Sequence, residues 1–238
     1  MLRIRAEAIN PATFLGACGF LEVADRLAPG VRSWWETDEL VLQADPSLFA
    51  EVEAAIRAAE IEPLEEGDAA FAFKVTGRAI TVDYWRLPED GGNSPWKTHA
   101  GQQKAWRTAA NLLEALGTLE PPTPETLFET TAAMSGRLGF DPRSGWEAIG
   151  AGMSPNEQGL EVATYPYSEL LAVLGLQTFL PPFRDRRTRY RTWEQPLPLS
   201  LARGAASNAL PGVEGRTFEF SRLNRGQAYF VFQYAEEV

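Results

Sequence analysis

The sequence predicts an α+β protein with antiparallel, hairpin-rich sheets and helices packed against them. Short stretches of alternating apolar and polar residues occur in pairs around turns, most clearly over 70–84 around Thr76-Gly77-Arg78. Longer apolar stretches have helical spacing. The helices do not alternate regularly with strands, as they would in βαβ repeats. The chain has 238 residues, of which 45% are hydrophobic and 23% charged, an ordinary globular composition.

The first half of the chain predicts strands and helices in mixed order. Asn10 and Pro11 have the residue types preferred at a helix start. The predicted elements are a strand over 2–8, a helix from Pro11 to about 27, a strand pair over 34–43, an acidic amphipathic helix over 46–59, the hairpin over 70–84, a loop over 88–95 and a long helix from about Thr98 to Leu116.

The second half begins after a proline-rich break at 121–124. Its predicted elements are a helix over 124–137, strands over 138–151, a loop over 153–160, a strongly apolar helix over 166–180, an extended segment over 187–199, a short helix over 201–208 and a terminal hairpin of 217–220 with 228–234.

The break suggests an N-terminal α+β half over 1–120 and a C-terminal α+β half over 121–238. Aligning Gly19 with Gly175 superposes the apolar residues of the two buried helices, for example Leu15 on Leu171. Two duplicated half-units explain this echo. Two unrelated buried helices in one continuous domain also explain it.

Composition excludes some classes of protein. Cys18 is the single cysteine, so no disulfide forms within the chain, and its apolar surroundings predict a buried structural thiol. The first ten residues alternate and carry charge, unlike a secretory leader, and no apolar run reaches 18 residues. We therefore expect a cytoplasmic location.

Charge is segregated along the chain. The net charge is −10, which opposes phosphate binding over the whole surface. Residues 36–68 hold eleven acids and one arginine, whereas residues 184–225 hold nine arginines and four acids. Negative charge is therefore concentrated in the first region and positive charge in the second.

No catalytic motif is present. The sequence contains no P-loop, GxGxxG, GxSxG, HExxH or CxxC pattern, and His99 is the only histidine. Without spaced partners, His99 does not indicate a zinc site or a catalytic triad. We expect no enzymatic activity and no cofactor or metal.

A first basic segment surrounds the predicted start of the long helix. Lys97, Lys104 and Arg107 flank Gln102 and Gln103, with tryptophans nearby. Cations at a helix N-terminus suit a phosphate, and glutamine can read base edges. The alternative is that the tryptophans are core residues and the polar residues cap the helix.

A second basic segment interleaves cations with aromatic side chains, as in proteins that contact phosphates and stack on bases. It contains Arg184, Arg186, Arg187, Arg189 and Arg191, together with Phe183, Tyr190 and Trp193. In a strand, alternate arginines share one face. The alternative is a solvated loop that pairs with the acidic helix, around Glu51, Glu53 and Glu60.

Three separated blocks of the chain carry a resemblance to a known family. The first is NPATFLGACGFLEVADRL over 10–27, followed by Trp34-Trp35. The second is DYW over 83–85 with KTHAGQQ over 97–103, and the third is YPYSELLAVLGLQ over 165–177 with YRTWEQPLP over 190–198. Together these blocks resemble the small Csb-type proteins of type I-U (I-G) CRISPR-Cas loci, whose pattern has tryptophan where this chain has His99.

The resemblance implies a non-catalytic subunit of a Cascade-like, RNA-guided surveillance complex in antiviral defence. The implied partners are other CRISPR effector subunits, guide RNA and target DNA. It also implies that each half is a ferredoxin-like (RRM/RAMP-type) unit, by analogy of fold. The competing functions are an acidic protein–protein scaffold and a metal-independent ribonuclease that uses Lys97 and His99.

Overall fold

The computed structural model describes residues 1–64, 70–84, 94, 96–98, 104–144, 161–224 and 230–238. Its helices are α1 (Pro11–Leu27), α2 (Leu48–Arg57), α3 (Ala105–Thr118), α4 (Pro166–Phe179) and α5 (Leu199–Ala206). Its strands are β1 (Leu2–Arg5), β2 (Arg32–Glu36), β3 (Glu39–Leu42), β4 (Glu60–Pro63), β5 (Phe71–Val75), β6 (Arg78–Val82), β7 (Ala132–Met134), β8 (Val162–Thr164), β9 (Phe183–Arg184), β10 (Arg187–Arg191), β11 (Leu197–Pro198), β12 (Thr217–Phe220), β13 (Arg222–Asn224), β14 (Phe230–Phe232) and β15 (Glu236–Glu237).

Every strand pair is antiparallel, which confirms the predicted α+β class. The two largest sheets have the strand orders β1-β3-β2-β11 and β15-β12-β10-β9. The smaller sheets are β4-β5-β6, β13-β14 and β7-β8. The predicted hairpin around Thr76-Gly77 is confirmed as β5 and β6, with Val75 opposite Arg78.

Helices α1 and α4 are buried around most of their circumference and cross at the centre of the fold. Their contact is reciprocal: a Cβ on Gly19 would lie 2.0 Å from the carbonyl oxygen of Leu171, and one on Gly175 would lie 1.9 Å from that of Leu15. Only glycine lets the two backbones approach this closely. The two glycines that sequence alignment superposes are therefore the residues at which the helices touch.

The ring of Phe14 in α1 packs against aromatic rings of both large sheets. Phe14 stacks on Tyr190 of β10 at 4.1 Å between ring centroids, and on Trp35 of β2 at 5.3 Å. The amide of Trp35 also donates to the carbonyl of Trp193 at 2.7 Å, and β11 pairs with β2. The N- and C-terminal halves consequently share one continuous hydrophobic core.

The ferredoxin-like expectation is met only for part of each half. In the first, β1, β2 and β3 have the order β1-β3-β2, that of a split β-α-β unit, but β4 pairs with β5 instead of completing the sheet. In the second half, β9 and β10 form a hairpin after α4. The strand before that helix, β8, pairs with β7 instead of β10, and β12 lies beside β10 in its place. Neither half forms a complete unit in the described part of the chain.

Several predicted elements are corrected. Residues 124–129 form turns and 132–134 form β7, so the predicted helix over 124–137 is wrong. Here threonine hydroxyls bond to nearby backbone groups, as between Thr126 and Thr123, and compete with a helix. Residues 138–144 contain no strand. Helix α3 begins at Ala105 and not near Thr98, which is buried with its hydroxyl bonded to the Leu138 carbonyl.

Gly19→Ala is expected to destabilise the protein severely. The new methyl group would meet the carbonyl of Leu171, and backbone cannot move aside as a flexible side chain can. The loss should reach the upper end of overpacking costs, about 3 kcal/mol or more. Gly117→Ala in α3 is the matched control, since an added Cβ there has nothing within 4 Å and should stabilise by roughly 0.5–1 kcal/mol. Chemical denaturation of both variants measures this, and equal stability would contradict the glycine contact.

Candidate nucleic-acid interface

The outer face of the β9-β10 hairpin carries a row of arginines. Strand alternation exposes Arg187 and Arg189 and leaves Arg191 half-buried, while Thr188 and Tyr190 point into the core. Arg184 lies directly opposite Arg187 in the register and shares its face. We call Arg184, Arg187, Arg189 and Arg191 the arginine face. The predicted placement of alternate arginines on one face is confirmed.

Two of these arginines are held by acids of neighbouring strands. Arg189 binds Glu219 of β12, its direct cross-strand partner, with Nε 2.6 Å from Oε1. Arg187 lies 3.5 Å from Glu219 and 3.7 Å from Glu236 of β15. Ion pairing therefore exists, but not with the predicted acidic helix, where Glu53 binds Arg57 and accepts the Tyr167 hydroxyl.

Three arginines of the segment have no acidic partner among the residues that the structure describes. Arg184 and Arg186 are exposed and form no ion pair there. Arg191 donates to the Gly215 carbonyl and to the Asn208 side chain, both at 3.3 Å, which leaves its charge unneutralised. These cations are the ones electrostatically available to a phosphate.

The predicted stacking role of Tyr190 and Trp193 is corrected, because both side chains are fully buried. The Tyr190 hydroxyl donates to the Ala8 carbonyl, and burial raises its pKa well above the ordinary value. The indole Nε1 of Trp193 donates to the Ser33 carbonyl at 2.8 Å. Strand alternation that turns the arginines outward turns Tyr190 inward, so neither ring is open to a base.

The first basic segment is divided by the fold. Lys104 and Arg107 are exposed at the start of α3, where the Arg107 guanidinium lies 5.6 Å from the Trp106 ring. Lys97 is half-buried and precedes the helix by several residues. Gln102, Gln103 and His99 lie outside the described residues. The helix begins eight residues after Lys97, not next to it as the predicted start near Thr98 implied.

The structure instead brings Lys97 close to the end of the arginine face. The indole of Trp96 donates to the Thr188 hydroxyl at 3.1 Å, beneath β10. Arg222 donates to the carbonyls of Ser94 at 3.0 Å and Lys97 at 3.4 Å, with its guanidinium 4.5 Å from the Phe230 ring. Thr188 of β10 lies opposite Phe220 of β12 in the antiparallel register. Arg222 follows Phe220 by two residues and therefore lies at the end of the sheet that carries the β9-β10 turn. Sequence spacing did not single out Arg222.

A buried carboxylate holds the backbone beneath this region. Glu169 of α4 is fully buried and accepts the amides of Leu138 at 3.1 Å, Phe140 at 3.2 Å and Asp141 at 3.1 Å. Burial raises the pKa of Glu169 to about 7, while the amides of Asp141 and Phe140 oppose the shift. We call Glu169 with the 138–141 backbone the carboxylate clasp. Sequence analysis did not identify it, because its donors are backbone groups that have no residue signature.

Asp141 and Arg143 extend the buried polar network. Asp141 accepts from the Asn10 amide at 3.3 Å and from Arg143 Nη2 at 2.8 Å. Arg143 also binds Glu129 at 2.9 Å and lies over the Tyr165 ring at 3.6 Å. The oxygens of Glu169 and Asp141 are engaged with these donors, so the network is suited to positioning rather than to proton transfer.

The clasp connects the central helix crossing to the basic surface. Glu169 on α4 fixes the loop at 138–141, and the Leu138 carbonyl accepts the Thr98 hydroxyl. Thr98 is adjacent to Lys97, whose carbonyl accepts from Arg222. Each step is a buried or half-buried hydrogen bond, so the backbone near the end of the arginine face is tied to α4.

Comparison with protein-family models, with curated proteins and with solved structures finds no match to this chain. The residues that the structure describes contain no group of three or more His, Cys, Asp or Glu side chains arranged to hold a metal ion. None of the described helices is long and apolar enough to cross a lipid bilayer.

Glu169→Gln is expected to change how stability depends on pH. The folded state binds the Glu169 proton more tightly than the unfolded state, since its pKa rises from the ordinary 4.5 to about 7. This group's stabilising contribution is present below about pH 4.5 and is lost as pH rises through about 7, a decline of roughly 1–3 kcal/mol. Glutamine does not titrate, so the decline should be reduced.

Urea denaturation of both proteins between about pH 5 and pH 8 measures the effect. Glu161→Gln is the matched control, since Glu161 is exposed and immediately precedes β8, the strand before α4. Identical pH slopes for wild type and Glu169→Gln would show that the carboxylate does not take up its proton in the folded state.

Proposed function

We propose that this protein is a non-catalytic, cytoplasmic subunit of a type I-U CRISPR RNA-guided surveillance complex. Its arginine face contacts the guide RNA or the target DNA within that complex. The observation that carries the proposal is the presence of Arg184, Arg186 and Arg191 on or beside one sheet face without acidic partners in the described chain. Arginine clusters of this kind suit phosphate contact.

The motifs behind the family resemblance coincide with residues on which the fold depends. Asn10 accepts the Ala12 amide at 3.0 Å and caps α1. Gly19 and Gly175 make the central crossing, and Glu169 forms the carboxylate clasp. This supports the interpretation that the blocks specify a scaffold, while surface cations supply the contact with nucleic acid.

The isolated chain is expected to bind nucleic acid weakly, with a dissociation constant above about 1 μM at physiological salt. Its net charge of −10 repels phosphate at long range, and Glu219 already occupies part of the arginine face. Fluorescence anisotropy with labelled single-stranded and duplex DNA and RNA measures this. Sub-micromolar affinity of the chain alone would contradict the expectation that it contacts nucleic acid only within the assembled complex.

Ultraviolet crosslinking in the native cells tests the proposal directly. Tagged full-length chain should crosslink to repeat-derived guide RNA or to target DNA, and should co-purify with the other effector subunits. Arg184→Glu with Arg191→Glu should reduce the crosslinked nucleic acid about tenfold or more, because the substitution reverses charges that no acid of the described chain neutralises. Recovery of the subunits must stay unchanged.

Arg32→Glu with Arg78→Glu is the matched control. Both side chains are exposed, neither forms an ion pair in the described chain, and the change in net charge is the same. A similar loss of crosslinking in this control would assign the effect to net charge alone. Absence of any nucleic-acid crosslink to the wild-type chain in the intact complex would overturn the proposed function.

An acidic scaffold is the second candidate, favoured by the exposed carboxylates around α2 and β4. Glu51 and Glu60 are exposed there, and the exposed Glu62 forms an ion pair with Lys74. Under this alternative, co-purification with protein partners persists, nucleic-acid crosslinks are absent, and Glu51→Lys with Glu60→Lys releases the partner. The same crosslinking and purification experiment therefore separates the two functions.

A further inference from the structure

The turn between β9 and β10 has an unusual residue choice. Arg184 pairs directly with Arg187, so Asp185 and Arg186 alone make the turn, with φ values of 51° and 63°. Two positive φ values are characteristic of the tight hairpin turn that favours Asn-Gly or Asp-Gly. The β5-β6 hairpin has glycine at the second turn position, Gly77, with φ of 71°. Arginine is a poor residue for this left-handed conformation.

The same four residues also concentrate positive charge. Arg184 and Arg187 are direct cross-strand neighbours, and two like charges in this position destabilise the strand pairing. Arg186 adds a third cation between them. Both the left-handed arginine and the opposed pair work against the stability of the hairpin, and strain of this kind concentrates at functional positions.

Two further basic residues of the described chain lie at this end of the sheet. Arg222 lies at the same end, as the β10-β12 register shows, and Lys97 lies beside it. Asp185 is the acid within the turn, and the contacts of Arg187 with Glu219 and Glu236 are at 3.5 Å and 3.7 Å. Charge at the turn is therefore only partly neutralised.

Aromatic side chains available for stacking are absent from the described part of this segment. Tyr190 and Trp193 are fully buried, and Phe183 is half-buried with its backbone paired to Thr188. Recognition by base stacking needs an exposed ring, whereas recognition of the phosphodiester backbone needs only cations.

We propose that residues 184–187, the hairpin tip, bind the phosphodiester backbone of the guide RNA or target DNA without regard to base sequence. This inference rests on the proposed function and assigns the contact to the hairpin tip, at the turn end of the arginine face. The Arg186 side chain is the principal contact, and the strained turn is the conformation that directs it outward between Arg184 and Arg187.

Arg186→Gly tests the assignment, because it is expected to raise the stability of the chain and to weaken its binding to nucleic acid. Glycine adopts positive φ without strain, so the melting temperature of the isolated chain should rise. Loss of one phosphate contact should weaken binding by the purified complex about three- to tenfold, equally for probes of different sequence. The slope of log affinity against log salt should become shallower by about one.

Thr76→Gly is the matched control for strain relief. Thr76 also has positive φ, 53°, at the first position of the β5-β6 turn, but carries no charge. It should leave binding unchanged. Asp185→Asn keeps a residue that tolerates positive φ and removes the acid of the tip, so it should strengthen binding and steepen the salt slope.

The probes are guide-loaded complex with labelled target duplex, and complex reconstituted with labelled guide RNA alone. A defect confined to the duplex experiment assigns the tip to target DNA, and a defect in guide loading assigns it to RNA. If the wild-type chain crosslinks to nucleic acid but Arg186→Gly binds like wild type, the tip assignment is overturned and the proposed function stands. If wild type has no nucleic-acid contact in the complex, both are overturned.

Discussion

The close crossing of α1 and α4 is the constraint on which the rest of the structure depends. Gly19 and Gly175 bring two backbones into contact, so each helix is packed on nearly all sides. Phe14, on the core side of α1, then stacks on Tyr190 and Trp35, which belong to the two large sheets. Close helix packing thereby sets the positions of both sheets, and a methyl group at the crossing would displace the helices and both large sheets.

The arginine face follows from the same packing. Tyr190 is the inward residue of β10 because Phe14 and Phe218 stack against it, and strand periodicity then turns Arg189 and Arg191 outward. Core packing on one side of the strand consequently determines the charged surface on the other. A shift of one residue in register would bury the arginines and expose Tyr190.

The arginines of this segment differ in whether a described acid binds them. Arg189 is bound to Glu219 across the strands, whereas Arg184 and Arg186 lie at the hairpin tip without such a partner in the described chain. The carboxylate clasp supports the neighbouring segment through Leu138 and Thr98. Rigid support beneath exposed cations lowers the ordering cost of binding a phosphate backbone.

The sequence by itself determined the α+β class, the apolar helices at α1 and α4, the β5-β6 hairpin and the outward row of arginines, because these follow from local periodicity and turn residues. Only the tertiary structure decided that Tyr190 and Trp193 are buried, that Glu219 binds two of the arginines, and that residues 124–137 do not form a helix. Local patterns carry no information about which distant group fills a cavity or satisfies a backbone donor. The bonds of Glu169 to backbone amides about thirty residues away depend on that long-range packing.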